Sequence, residues 1–97
     1  MSKLTQSQLA ALNRLPIHMR EGAVEYVLRG CPPGGFHRAV LENDLHGAFN
    51  RADEDNRQAM FHWAAWLHAI PLAAWGNERA VNEWVATGGL EGLEVAA

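Results

Sequence analysis

The sequence predicts an all-α protein, a compact single domain of five or six short helices packed around a central Trp-rich helix. Apolar residues recur at spacings of three and four through most of the chain, which is the helical period. No segment alternates between apolar and polar residues for long enough to predict a strand. A chain of 97 residues that is 48% hydrophobic is large enough for one core and too short for two, so the expected domain spans residues 1–97.

The first two helices have recognisable signals at their ends. Thr5 followed by Gln8 is a capping box, which predicts a first helix from about residue 6 to residue 14. Pro16 suits the first turn of a second helix, and Gly30 offers that helix a left-handed stop.

The next segment predicts two short helices or one kinked helix. It begins with a sharp turn at residues 31–35, Cys-Pro-Pro-Gly-Gly, whose two glycines let Phe36 enter the core. Two apolar groups at helical spacing follow, with Asn43 and Asp44 between them as a break or cap.

Residues 54–69 predict the central helix. Asp53 or Asp55 caps it, and its acidic first turn complements the helix dipole. Pro71 ends it, and small alanines beside the tryptophans allow close packing. Its inward stripe recurs at helical spacing. The stripe comprises Asn56, Met60, Trp63, Leu67 and Ile70.

A last helix begins after Asn77, which is a capping residue, and ends at the glycine pair of residues 88–89. The ordered core is therefore expected to cover about residues 5–88. The tail at residues 89–97 is expected to be frayed because terminal segments are seldom held by the core.

Charge and composition argue against two classes of protein. Eleven acidic and eight basic residues give a net charge of −3, and the basic residues are scattered. A nucleic-acid binder depends on clustered positive charge, and a helix-turn-helix regulator needs a basic recognition helix, so DNA regulation is the weakest hypothesis. The apolar run at residues 63–67 is far shorter than the roughly 20 residues of a membrane span.

A single cysteine, Cys31, leaves no partner for an internal disulfide, and the N-terminal residues do not resemble a secretory signal. We therefore expect a cytoplasmic protein. Cys31 in its turn is interpreted as structural, as is the pair Gly34–Gly35, which lacks the Lys-Ser/Thr of a phosphate-binding loop.

The histidines predict no metal site, and no catalytic residue or cofactor is predicted either. His62 and His68 lie about 120° apart around a helix, and His37 and His46 lie on opposite sides of theirs. The histidines are therefore interpreted as surface or boundary residues. The alternative hypothesis, a small enzyme or metal-binding protein, predicts a fold-assembled pocket that places at least two of these four beside a carboxylate.

Two features predict a surface for a protein partner. Two acidic groups, at residues 42–44 and 53–55, form either a solvated face or a docking surface. Trp66 lies at the edge between the inward stripe of its helix and an outward stripe formed by Asp55, Gln58 and His62. Trp75 follows the helix-ending proline, so either tryptophan could anchor an interface. The candidate partner-binding residues are Asp44, Asp53, Glu54, Asp55, Trp66 and Trp75.

Three motifs are similar to those of a group of small uncharacterised proteins encoded by bacteriophages and prophages. They are PPG-x-F at residues 32–36, A-V-L-x-N-D-L at residues 39–45 and A-D-x-x-N at residues 52–56. The resemblance covers roughly residues 12–85. In the PPG-x-F turn, that group often has serine at the position of Gly35 in this chain. The group has no assigned catalytic residue that could be transferred to this sequence.

The resemblance implies a setting rather than a reaction. Small acidic proteins of mobile elements often act by binding a host machine, and anti-CRISPR proteins are one such class. We therefore expect a non-enzymatic protein in the cytoplasm of a bacterial host, which binds and inhibits a host protein or nucleoprotein complex without contacting nucleic acid directly. Homodimerisation stays open.

Overall fold

Eight α-helices and one 3-10 turn, joined by short loops, make up the computed structural model, which describes residues 3–96. The all-α prediction is confirmed, and the predicted domain bounds at residues 1 and 97 lie outside the described residues. The break at Asn43 and Asp44 was one of the predicted alternatives. The helices outnumber the predicted five or six because the central helix also breaks at Ala59 and a further helix follows Gly88. They are α1 (Gln6–Leu12), α2 (Ile17–Arg29), α3 (Gly35–Leu41), α4 (Leu45–Arg51), α5 (Glu54–Gln58), α6 (Met60–Ala69), α7 (Glu78–Thr87) and α8 (Gly89–Ala96), with the 3-10 turn at Leu72–Ala74.

Polar side chains begin several helices where the sequence predicts them. The Thr5 hydroxyl accepts a hydrogen bond from the Gln8 backbone at 3.2 Å, and the Gln8 side chain accepts one from the Thr5 backbone at 2.9 Å. Asp44, Asp53 and Asn77 each accept the backbone N–H three residues ahead, at 2.8 to 2.9 Å. These bonds satisfy donors that the first helical turn leaves free.

The central helix is interrupted once, at Ala59, which separates α5 from α6. Its predicted inward stripe is confirmed, with four members buried and Met60 partly buried. Trp63 lies at the centre, where its Nε1 donates to Asn56 Oδ1 at 3.0 Å and its ring meets Phe36 edge-on at 5.4 Å. The two tryptophans of α6, Trp63 and Trp66, therefore belong to the core.

Two buried hydrogen bonds join α2 to the C-terminal half of the chain. The Tyr26 hydroxyl donates to the Ala74 carbonyl at 2.6 Å, and Trp84 Nε1 donates to the Tyr26 carbonyl at 2.9 Å. Burial raises the pKa of Tyr26 well above its usual value. This side chain therefore acts as a neutral donor within the core.

The expectation of a frayed tail at residues 89–97 is wrong for the part that the structure describes, because residues 89–96 form α8. α8 packs against α2 where Gly30 and Gly89 cross. Both have φ of +67°, and a Cβ on Gly89 would lie 2.6 Å from the Gly30 nitrogen. Only glycine permits this approach, which holds the tail on the domain.

Candidate functional site

An apolar groove of about 300 Å³ lies between α4 and α6. Phe61 is 79% exposed and Leu45 is 67% exposed, and Phe49 is also exposed. Asp44, which caps α4, contributes a carboxylate at the edge. We call this feature the apolar groove; its apolar lining includes Leu45, Phe49, Met60, Phe61, Ala64 and Leu67.

The groove follows from the composition of α6. This helix has only two polar residues, His62 and His68, so it cannot present a polar face to solvent opposite its buried one. Trp63 and Leu67 face the core, while Phe61 projects outward. The sequence analysis did not single out Phe61, although the shortage of polar residues in this helix was a signal for it.

The expectation that Trp66 could anchor a partner is wrong, because its side chain is fully buried in the core. Trp75 is half-buried and its ring meets the His68 ring edge-on at 6.2 Å. Exposed aromatic surface is instead provided by Phe61 and Phe49.

The four predicted acidic residues do not border one common cleft. Asp44 borders the apolar groove, whereas Asp53 and Asp55 line two other clefts near α2. Glu54 lies 3.5 Å from Arg57. The backbone N–H of Asn56, with a smaller contribution from His18, lowers the pKa of Asp53 below its usual value.

Two clefts meet at His18, which lines both of them, and we call them together the His18 clefts. His18 Nε2 lies 2.9 Å from Asp53 Oδ2. The Arg14 cleft measures about 630 Å³, and its lining includes Arg14, Pro16, Ile17, Arg20, Asp55 and His62. The His37 cleft measures about 380 Å³, and its lining includes Glu25, Cys31, Gly35, His37, Arg51 and Asn56.

His37 belongs to the core, which corrects the interpretation of all five histidines as surface or boundary residues. It is 4% exposed, with its ring 5.6 Å from Tyr26 and 5.5 Å from Trp63. Residues 36, 37, 40 and 41 share one buried face of α3. Burial lowers the pKa of His37 to about 4, and its Nε2 has no hydrogen-bond partner among the described residues.

The enzyme or metal-protein hypothesis predicts a pocket with at least two of four histidines, and each of the two clefts contains only one of them. His37 and His62 line separate clefts, and neither His46 nor His68 lines either one. His18 lines both clefts, and no local pattern indicates this because its partner Asp53 is distant in the chain. Within residues 3–96, no three His, Cys, Asp or Glu side chains are grouped to hold a metal ion.

Comparison of the chain with known protein families, curated proteins and solved structures found no match. Across residues 3–96, no helix combines the length and apolar character needed to cross a bilayer. The functional interpretation therefore depends on the apolar groove and the His18 clefts themselves.

Proposed function

We propose that this chain is a non-enzymatic binding protein of phage or prophage origin. In this proposal it docks on a host protein or nucleoprotein complex in the bacterial cytoplasm and inhibits it, as anti-CRISPR proteins do. The observation that supports it is the apolar groove, with Phe61 79% exposed beside Leu45. Contiguous exposed apolar surface is typical of interaction sites, and buried aromatic anchors dominate interface energies.

The groove favours an amphipathic helix of the partner as its occupant. Its two walls are helices, and α6 with its 10 residues is about 15 Å long, which matches two to three turns of a docked helix. The Asp44 carboxylate at the edge and the net charge of −3 favour basic residues beside the apolar face of that helix. This arrangement requires no direct contact with nucleic acid.

Affinity capture with matched variants tests the proposal. The tagged protein, Phe61→Asp and Leu72→Asp are incubated with bacterial lysate, with and without nuclease, and captured proteins are identified by mass spectrometry. Phe61 and Leu72 are 79% and 82% exposed, so both substitutions should preserve the fold. We expect Phe61→Asp alone to lose the partner, and the partner's own activity to fall when the wild-type protein is added.

Retention of the partner by Phe61→Asp would contradict the groove as the interface, and undiminished partner activity would contradict inhibition. Asp44→Asn provides a finer test because asparagine also caps helices well. This variant should bind more weakly and with less dependence on salt, whereas Asp53→Asn, which changes a cap away from the groove, should bind as the wild type does.

A further inference from the structure

The seven arginines fall into two groups. Four lie close to a glutamate, at 2.6 to 3.5 Å, and the other three form no ion pair with a described carboxylate. All three of these line the His18 clefts, although the protein as a whole has a net charge of −3. The paired arginines are Arg29, Arg38, Arg57 and Arg79, and the unpaired ones are Arg14, Arg20 and Arg51.

Backbone contacts hold two of the three guanidinium groups in place. Arg20 donates from Nε to the Leu15 carbonyl at 2.9 Å and from Nη2 to the Asn13 carbonyl at 2.7 Å. Arg51 donates from Nη1 to the Gly47 carbonyl at 3.4 Å. The carbonyls are neutral and form no ion pair, although the Asp44 carboxylate lies near Arg51 beside Gly47. Each guanidinium retains further N–H donors.

The carboxylates in these clefts are mostly occupied. Asp53 accepts hydrogen bonds from the Asn56 backbone and lies against His18, while Glu25 is paired with Arg29. Asp55 alone among them has no ion pair with a described residue. Two buried imidazole nitrogens in the clefts, His37 Nε2 and His62 Nδ1, also have no described partner.

We propose that the His18 clefts bind the phosphate group of a small organic phosphate of about mononucleotide size. Guanidinium groups bind phosphate oxygens through paired, charge-assisted hydrogen bonds, which Arg14 and Arg20 can provide from one cleft and Arg51 from the next. The exposed Ile17 beside them offers apolar surface for the organic part. Volumes of about 630 and 380 Å³ fall within the range of small-molecule sites.

A small ligand fits these observations better than a nucleic-acid strand. Binding of a polymer gains affinity from each phosphate that a cation neutralises, so it needs a row of free basic residues. Here the free arginines are confined to one place, and the other arginines are already paired with glutamates. Beyond the clefts, the negative net charge would repel a long polyanion.

NMR titration of the full, isotope-labelled chain tests this inference. The probes are adenosine monophosphate, inorganic phosphate, uncharged adenosine and a short oligonucleotide. We expect adenosine monophosphate to give saturable shifts in the backbone amides of residues 14–20, inorganic phosphate to bind the same residues more weakly, and adenosine to give none. Because the Arg14 side chain makes no hydrogen bond or ion pair with a described residue, Arg14→Gln should keep the fold and weaken binding by roughly tenfold or more.

Arg79→Gln is the matched control, since it removes the same charge from a side chain that is 88% exposed on α7. Its affinity should equal that of the wild type. Absence of saturable shifts, or an unchanged affinity in Arg14→Gln, would overturn the site. Equal affinities for inorganic phosphate and adenosine monophosphate would contradict the proposal that the ligand has an organic part. Tighter binding of an oligonucleotide would contradict the proposal that the ligand is a small molecule.

Discussion

The apolar groove and the His18 clefts are exposed for different reasons. The groove exists because α6 contains more apolar residues than its core-facing stripe can bury, so Phe61 is left outside. The clefts are polar because three arginines that line them contact backbone carbonyls or no described partner rather than carboxylates. The first surface is a consequence of local composition and suits a protein partner. The second is lined by residues from distant parts of the chain and suits an anion.

Trp63 connects these two surfaces, so its removal should have the largest effect. It lines the apolar groove, and it packs against His37 and bonds to Asn56 in the His37 cleft. We expect Trp63→Ala to lower the free energy of unfolding by about 3–5 kcal/mol and to abolish both binding functions. Urea denaturation followed by circular dichroism measures the first effect, and partner capture and nucleotide titration measure the second.

Phe61→Ala is the control for that substitution, because it removes another large aromatic ring from the same helix. Phe61 is largely exposed, so its loss should change stability by less than about 0.5 kcal/mol. Similar losses of stability in both variants would contradict the distinction between a buried and an exposed ring.

Acidification should lower the free energy of unfolding because His37 is buried without a charge. Its pKa is about 4 in the folded protein and ordinarily 6.5, so between these values only the unfolded chain takes up the proton. The free energy of unfolding should therefore be undiminished above pH 6.5 and fall by about 3 kcal/mol as the pH approaches 4. Urea denaturation at several pH values measures this slope.

His37→Phe should flatten the slope, because phenylalanine fills the core without a titrating nitrogen, while His46→Phe on the exposed surface of α4 should leave it unchanged. The Asn56 backbone N–H lowers the pKa of Asp53, so the contribution of this carboxylate is lost at more acidic pH than that of His37. An equal slope in His37→Phe would show that another group causes the acid sensitivity.

Apart from the control variants, the smallest predicted effect is a gain of stability from a substitution in the His37 cleft. Gly22 is in the interior of α2, lines this cleft and has nothing within 4 Å of an added Cβ. Gly22→Ala should stabilise the protein by about 0.5–1 kcal/mol, because alanine loses less backbone entropy in a helix. Thermal unfolding measures the gain, and capture through the apolar groove should not change.

Gly30→Ala provides the opposite case. Gly30 has φ of +67°, and a Cβ there would lie 2.8 Å from the Gly89 nitrogen. We expect it to destabilise the contact between α2 and α8. A loss of stability in Gly22→Ala would contradict the open space assigned to the His37 cleft.

The sequence by itself determined the helical class, the caps and the core of the central helix. Thr5, Asp44, Asp53 and Asn77 cap helices as predicted, because a cap depends on atoms within three residues of each other. The buried stripe through Trp63 could also be predicted locally, because spacings of three and four along one helix place these residues on one face.

Only the tertiary structure decided which of the remaining side chains would be buried or paired. Trp66 is fully buried, His37 packs against two aromatic rings, and α8 is held by the crossing of Gly30 with Gly89. His18 meets Asp53 across a long stretch of chain. These contacts join residues that are distant in sequence, so no local periodicity specifies them. Their identity depends on how the helices pack, and that packing places both proposed binding surfaces.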